Sequence, residues 1–402
     1  MESYLVGGAV RDKLLGLVVH DRDWVVIGET PDSMQAAGFR AVGKDFPVFL
    51  HPETQEEYAL ARTERKTGPG YRGFSFNTDA SVTLEQDLQR RDFTINAMAE
   101  NAHGDIVDPF SGREDLNNRL LRHVSAAFTE DPVRVLRAAR FMARFAHFGF
   151  KLADDTLLLM RSMVDNGEVD NLVAERVWQE LASALTTPHP ETFFNTLHSV
   201  AALKPILPEI HSLLMADGHD ENAAEQSTMR SSPEPSQHIA WQSLILASGL
   251  SQQPHVRFAA LSAGFGAHGV ANVKRLCQRL RAPNNVTDLA MLSSKLTAQA
   301  INAKALGAEQ LHALLKAVDI NRKPTRFKDF LTVVQAYTAA QKGVSNVSEL
   351  PDSTPQTHLL LQCAEAMLSI NAAEIAKSNR GSSAIATAIK QAELAAIESV
   401  AL

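Results

Sequence analysis

The periodicity of this chain changes once, near Ala126, and that change limits its fold more than any other feature. Before it, short apolar runs alternate with turns. After it, apolar residues recur at helical spacing almost to the C-terminus. A helix repeats its apolar face every 3.6 residues and a strand every two, so a single element type cannot account for both halves. The expectation is an α+β chain: a small mixed sheet with helices, followed by an all-helical neck, body and tail. Within the first part, "SYLVGG", "DWVVIG", "FPVFLH" and "EEYALAR" read as strands, and "AVRDKLLG" reads as a short helix ending at Gly16. "RTERKTGPGYRGFSF" reads as a mobile loop, "TLEQDLQRRDFTINAMAEN" as a helix, and "GDIVDPFSGREDL" as a strand, a turn and a helix start. "TEDPVRVLRAARFMARF" opens a long helix, with Pro132 tolerated in its first turn.

A chain of 402 residues accommodates two to four domains. Two polar stretches, 216–238 and 343–357, read as linkers or long surface loops. The expected divisions are 1–125, 126–215, 216–342 and 343–402. The Ala-rich tail should form two helices broken near Ser378–Ser383. Only two cysteines occur, Cys277 and Cys363, too few for a zinc or disulfide framework and consistent with a cytoplasmic location. The opening "MESYLVGGAVRD" is not a signal peptide, and no window is long and apolar enough to span a membrane. Net charge is −7, yet residues 270–330 hold eleven Lys or Arg against four acids. That segment is +7 and the remainder −14, so a local surface could attract a polyanion although the whole repels one.

The stretch "HDRDWVVIG" puts Asp21 and Asp23 two residues apart at the mouth of an apolar strand. With a period of two they would share a face. Such a pair serves either as turn or cap acids or as a divalent metal site. Gly7 and Gly8 close the preceding strand, and Arg11 follows one turn into a helix. Glycines let backbone amides approach a phosphate closely, so the combination describes a triphosphate beside a metal.

Six motifs then follow in one order: "LVGGAVRDKLLG", "DRDWVVIG", "RRDFTINAMA", "DPFSGREDL", "EDPVRVLRAARF" and "ERVWQEL". Together they resemble the class II tRNA nucleotidyltransferases, the bacterial CCA-adding enzymes of the polymerase-β superfamily. The resemblance runs motif for motif over residues 1 to about 185. It implies template-independent addition of C, C and A to the tRNA 3′ end from CTP and ATP, by two-metal phosphoryl transfer with Mg²⁺ as cofactor and pyrophosphate released. It further implies that Asp21 and Asp23 hold metal, and that Gly8, Arg11, Arg91, Asp92, Arg137 and Arg140 contact nucleotide. Asp131 and Arg134 then read the base, while Glu130, Glu175 and Arg176 steady the helix that carries them.

The base-reading role also follows from bonding. Cytosine and adenine each present an amino donor beside an acceptor ring nitrogen, which suits a carboxylate next to a guanidinium. Uracil and guanine would set a carbonyl oxygen against Asp131. Arg134, Arg137 and Arg140 fall at i, i+3 and i+6, which winds around a helix, so they should spread from base to phosphates.

In the second half, "HVRFAALSAGFGAHG" resembles the core of an HD-type phosphohydrolase domain. Ala263 and Gly264 stand where that domain has its His-Asp pair, and the dipeptide His219–Asp220 falls in the polar stretch, out of register. This region is expected to be a retained scaffold. The candidate tRNA contacts there are Lys274, Arg275, Arg279, Arg281, Arg322 and Lys323. A bacterial poly(A) polymerase would share the head motifs, but a first strand beginning by Tyr4 and a tail poor in basic residues favour the CCA enzyme. A retired RNA-binding protein would have no need of an acid pair at Asp21 and Asp23.

Overall fold

The computed structural model describes residues 1–42, 48–66, 74–215, 239–379 and 381–401, with backbone alone for 64–66, 74–77 and 401. The chain divides into two compact units: Met1–Val177 with Thr192–Ile206, and Trp178–Glu191 with Leu207–Leu402. The expected α+β class holds: a mixed sheet with helices comes first, and the remainder is helical.

In the first unit β1 (Glu2–Val6) leads through Gly7 into helix α1 (Gly8–Leu14), and β2 (Asp23–Ile27) returns antiparallel with Val6 opposite Asp23. Helix α2 (Pro31–Ala36), strands β3 (Arg40–Val42), β4 (Val48–Leu50) and β5 (Glu57–Leu60) follow. Strands β6 (Thr63–Lys66) and β7 (Phe74–Asn77) come next, then α3 (Leu84–Gln89), β8 (Ala99–Glu100), β9 (Ile106–Val107) and α4 (Gly112–Asn117). The seven-stranded sheet has the order β3-β4-β5-β2-β1-β8-β9, with β2 and β5 its parallel pair. β2 is a continuous apolar run because both of its faces are covered. Val25 packs with Val6, Leu88 and Ala97 on one side, and Val26 with Phe49, Leu60 and Met34 on the other.

Two sequence expectations fail here. The stretch expected to be a mobile loop contains β6 and β7, paired antiparallel from Thr63↔Asn77 to Lys66↔Phe74; its centre, 67–73, lies outside the described residues. The charged residues of the described flanks masked the strands. The expected helix through "RRDFTINAMAEN" stops at Gln89. Asp92 turns its carboxylate onto the Phe93 amide (2.9 Å), and Thr94 donates its amide to the Arg122 carbonyl (2.9 Å), so local and tertiary bonds replace the helical ladder. A 3₁₀ turn, Thr94–Asn96, and β8 follow instead.

Helix α5 (Val133–Phe145) opens after Pro132, α6 (Asp154–Asp165) follows, and α7 (Ala174–Leu185) comes after that. Asp131 lies before α5 in extended conformation, so it is not on the helix with Arg134 as the spacing suggested.

The second unit is helical, with its core around Leu246, Val256, Leu289, Leu314, Phe330 and Cys363. Arg257 is buried among backbone acceptors, donating to the carbonyls of Leu185 (2.7 Å), Thr187 (2.5 Å), Ser248 (2.9 Å) and Ser251 (2.6 Å). It thereby satisfies acceptors at two helix ends. The expected linker 216–238, including His219–Asp220, lies outside the described residues. The polar stretch after Gly343 is shorter than expected, since a helix begins at Pro355 under a Thr354 cap. The tail does break where expected, between Ala372–Ser378 and Ser382–Ala401. Among the described residues no single helix is long and apolar enough to cross a membrane.

Candidate active site

Gly7 has φ +68°, and a Cβ on it would lie 2.7 Å from Nη1 of Arg91. A Cβ on Gly8 would lie 3.3 Å from Nη2 of Arg11. Gly7 is favoured by its positive φ, and a guanidinium group packs against each of the two glycines. Asp23 begins β2 directly opposite Val6, which sets its carboxylate beside the same turn. Asp21 lies in the loop before β2, so the two-residue strand period applies to Asp23 alone. The two acids still feel each other. Burial pushes the Asp23 carboxyl above its ordinary value, Arg91 opposes this, and Asp21 adds to it.

A carboxylate crowded by a second one and partly stripped of water favours an added positive charge. All-oxygen donors suit Mg²⁺, which takes one or two carboxylates and completes its shell with phosphate oxygens and water. Asp21 and Asp23 fit that donor set. Glu57 stands beside Asp23 in the parallel β2–β5 register, but among the described residues no three His, Cys, Asp or Glu side chains gather closely enough to form a metal group.

Behind the turn runs a chain of alternating charges. Arg11 is 2% exposed. It pairs with Asp12 (2.7 Å), donates to Oδ1 of Asn96, and lies over the rings of Phe141 (5.2 Å) and Phe145 (5.1 Å). Burial lowers its pKa, and Asp12 opposes the shift. Arg144 holds the other oxygen of Asp12 (2.8 Å). Asn96 donates to Asp92 (2.9 Å), which also accepts from Nε of Arg137 (2.7 Å). Burial would raise the Asp92 carboxyl, but Arg137 and these bonds outweigh it and hold it at about 2. Arg140 (4.4 Å) and Arg137 (5.7 Å) both lean on Phe141, a cation–π arrangement that keeps neighbouring guanidiniums in place despite their like charge.

Asp131 and Arg134, expected to read the base, have further partners, and the charge of Arg134 also acts on Asp92. Arg176 grips Asp131 with two parallel bonds, Nη1 to Oδ1 (3.0 Å) and Nη2 to Oδ2 (2.7 Å). Arg134 donates to the carbonyls of Ala127 (2.9 Å) and Arg90 (2.5 Å). The arginines of the row bond different groups: Arg134 the two carbonyls, Arg137 the Asp92 carboxylate, with Arg137 and Arg140 over Phe141. Glu130 ends the 3₁₀ turn before Asp131, and Glu175 lies in the first turn of α7.

The motif "DPFSGREDL" turns out to be structural. Asp108 caps α4 by accepting from the amides of Gly112 (2.7 Å) and Arg113 (2.9 Å). A Cβ on Gly112 would overlap the Thr94 carbonyl, and Asp115 accepts from the Thr94 hydroxyl (2.8 Å). The motif therefore seats the 3₁₀ turn that carries Asn96. Sequence reasoning missed Asp12, Asp87, Asn96 and Phe141. Their only signal was adjacency to Arg11, Arg91, Asp92 and Arg140.

Of the basic candidates in the second unit, Arg279 pairs with Glu209, Arg275 bonds Asn272, and Lys323 pairs with Asp288 (2.9 Å). Lys274, Arg281 and Arg322 are exposed.

Residues 3–122 match the family model described as the poly A polymerase head domain. Residues 149–214 match the one described as a probable RNA and SrmB-binding site of polymerase A. The multifunctional CCA proteins of Laribacter hongkongensis and Chromobacterium violaceum are each 47% identical to this chain, over 99% of it and 98% of their own length. This chain belongs to the CCA-adding enzyme family. Its family is one of tRNA nucleotidyltransferases. The Bacillus stearothermophilus CCA-adding enzyme in complex with CTP has the same fold, with a TM-score of 0.66 at 22% identity over 99% of this chain and 89% of that one. A CCA-adding enzyme in complex with ATP gives 0.65 at 19% identity, over 98% of this chain and 86% of that one.

Proposed function

We propose that this enzyme adds C, C and A in turn to the 3′ end of cytoplasmic tRNA, taking CTP and ATP and releasing pyrophosphate. The observation that carries the reading is the convergence of Asp23, Arg91 and Arg11 on the Gly7–Gly8 turn, in a chain with full-length CCA-protein relatives. The complexes of CCA-adding enzymes with CTP and with ATP support the choice of nucleotides.

In this reading Asp21 and Asp23 hold Mg²⁺. When bound, one ion would lower the pKa of the primer 3′-hydroxyl and a second would neutralise charge on the departing pyrophosphate. Gly8, Arg11 and Arg91 receive the triphosphate, and Arg137 and Arg140, braced by Asp92 and Phe141, contact the nucleotide beyond it. Asp131 accepts from the exocyclic amino group of C or A, and Arg134 donates to the ring nitrogen. The fork of Arg176 fixes the plane of the Asp131 carboxylate. Lys274, Arg275, Arg279, Arg281, Arg322 and Lys323 lead the tRNA along the helical body. That body serves as scaffold in this reading: a Cβ at Gly264 would overlap Ala240, which leaves no room for an aspartate at that position.

The test is incubation with tRNA ending at its discriminator base, with each NTP singly and in pairs, resolved to single nucleotides. CTP alone should extend by two residues, and CTP with ATP by three. Addition of A alone, of CC alone, or of long A tracts would replace this reading with partial activity or poly(A) polymerase activity.

A further inference from the structure

Asp87, in the last turn of α3, is 0% exposed, and every bond it accepts comes from a group near the site. Oδ1 accepts from Nε (3.1 Å) and Nη2 (2.7 Å) of Arg90 and from the Arg62 amide (3.3 Å). Oδ2 accepts from Nη2 of Arg91 (3.2 Å). Arg90 in turn supplies the carbonyl that receives Arg134 (2.5 Å). Nη1 of Arg91 lies against Gly7 and donates to the Asn96 carbonyl (3.5 Å). The Asp87 carboxylate thus pairs with one end of the guanidinium while the other end lies at the turn.

We propose that Asp87 is a positioning residue for nucleotide binding: it holds Arg91 at the Gly7–Gly8 turn, where the incoming triphosphate would meet the guanidinium. The proposal rests on the reading of Arg91 as a nucleotide contact.

The experiment is a cycle of Asp87→Asn, Arg91→Gln and the double variant in the full chain. It reads kcat and KM for CTP and ATP at saturating tRNA, with equilibrium CTP binding alongside. Asp87→Asn should raise KM for both nucleotides about tenfold, as expected for loss of a bond to a charged group, and weaken CTP binding in parallel. Its kcat should change by no more than about threefold. The double variant should be no worse than Arg91→Gln alone, because Asp87 acts through Arg91. Losses that multiply to about a hundredfold in the double variant would mean a merely structural role and overturn the proposal. An unchanged KM in folded Asp87→Asn would also overturn it. A normal KM in Arg91→Gln would instead overturn the nucleotide role of Arg91. Should Asp87→Asn not fold, Asp87→Glu keeps the charge and displaces it by one methylene. A raised KM absorbed by Arg91→Gln then supports the proposal, and an unchanged one sinks it.

Discussion

Replacing Arg176 by lysine removes one of the two bonds that hold Asp131 while keeping the charge. The fork bonds both carboxylate oxygens, at 3.0 and 2.7 Å, with side chains 28% and 20% exposed. A bond to a charged group contributes about 1.5–3 kcal/mol, and partial exposure puts this one near the lower end, at about 1.5 kcal/mol. An ammonium is a point donor and cannot fix the plane of a carboxylate. Asp131 would then rotate, and the oxygen meant for the amino group of C or A would lose its orientation. A well-made two-point contact discriminates between bases by about 1–3 kcal/mol, so losing about half of that, about 1 kcal/mol, lowers the CTP/UTP ratio roughly fivefold. The global cost is small: about 1.5 kcal/mol corresponds to a Tm fall of about 3–6 °C in a unit of this size. The assay is kcat/KM for CTP, ATP, UTP and GTP on matched primers, with thermal unfolding as the control for folding. A folded Arg176→Lys enzyme with an unchanged CTP/UTP ratio would refute the claim that Asp131 reads the base from a plane set by Arg176.

Asp21→Ala and Asp23→Ala should each abolish nucleotide addition and largely spare tRNA binding, measured by incorporation and filter binding side by side; near-normal incorporation in either would remove the metal assignment. Gly7→Ala should be more damaging than Gly8→Ala to the KM for CTP, because it meets both a positive φ and Arg91 at 2.7 Å, whereas Gly8→Ala meets only Arg11 at 3.3 Å; the reverse order would contradict the packing described. The Asp92 carboxyl is depressed from 3.8 to about 2, so its stabilising contribution is fully present above 3.8 and is lost as pH falls through about 2. The urea midpoints of wild type and Asp92→Asn should therefore converge across that window, and parallel curves there would show that the pair with Arg137 contributes nothing. Gly264→Asp should lower Tm through overlap with Ala240 and should not confer hydrolysis of 2′,3′-cyclic nucleotides or phosphomonoesters, even with added Ni²⁺, Mn²⁺ or Co²⁺; metal-dependent turnover that survives Asp21→Ala would show the region to be misread.

The sequence displayed features whose physics is local. Val25 and Val26 reveal a strand covered on both faces, because each residue alone declares its apolar character. The break in the tail, and the helix that opens after Pro132, are equally local. Periodicity failed between Arg90 and Asn96, where helix-like spacing continues but Asp92 and Arg122 supply bonds that a helix would have made internally. It failed again at β6 and β7, because a charged ribbon shows no apolar alternation.

The site divides in the same way. Asp23 and the glycine turn were readable because sequence neighbours meet across a single antiparallel register, Val6 opposite Asp23. Asp87 was not, since an acid three and four residues before two arginines looks like an ordinary surface pair on a helix. What makes it different is complete burial, and burial depends on contacts that β2, β8 and α3 make together. Phe141 poses the harder case. On a helical wheel it is one more apolar core position, yet Arg11 from α1 and Arg137 and Arg140 from α5 all lie over its ring. The arginine row was visible as charge, but nothing in its spacing says what lets three guanidiniums share so small a volume. The answer requires the ring, Asp12 and Asp92 at once, drawn from α1, α5 and the turn between α3 and β8. Residues that touch substrate can announce themselves by type and order, whereas residues that hold them in place become visible only once the fold has brought them together.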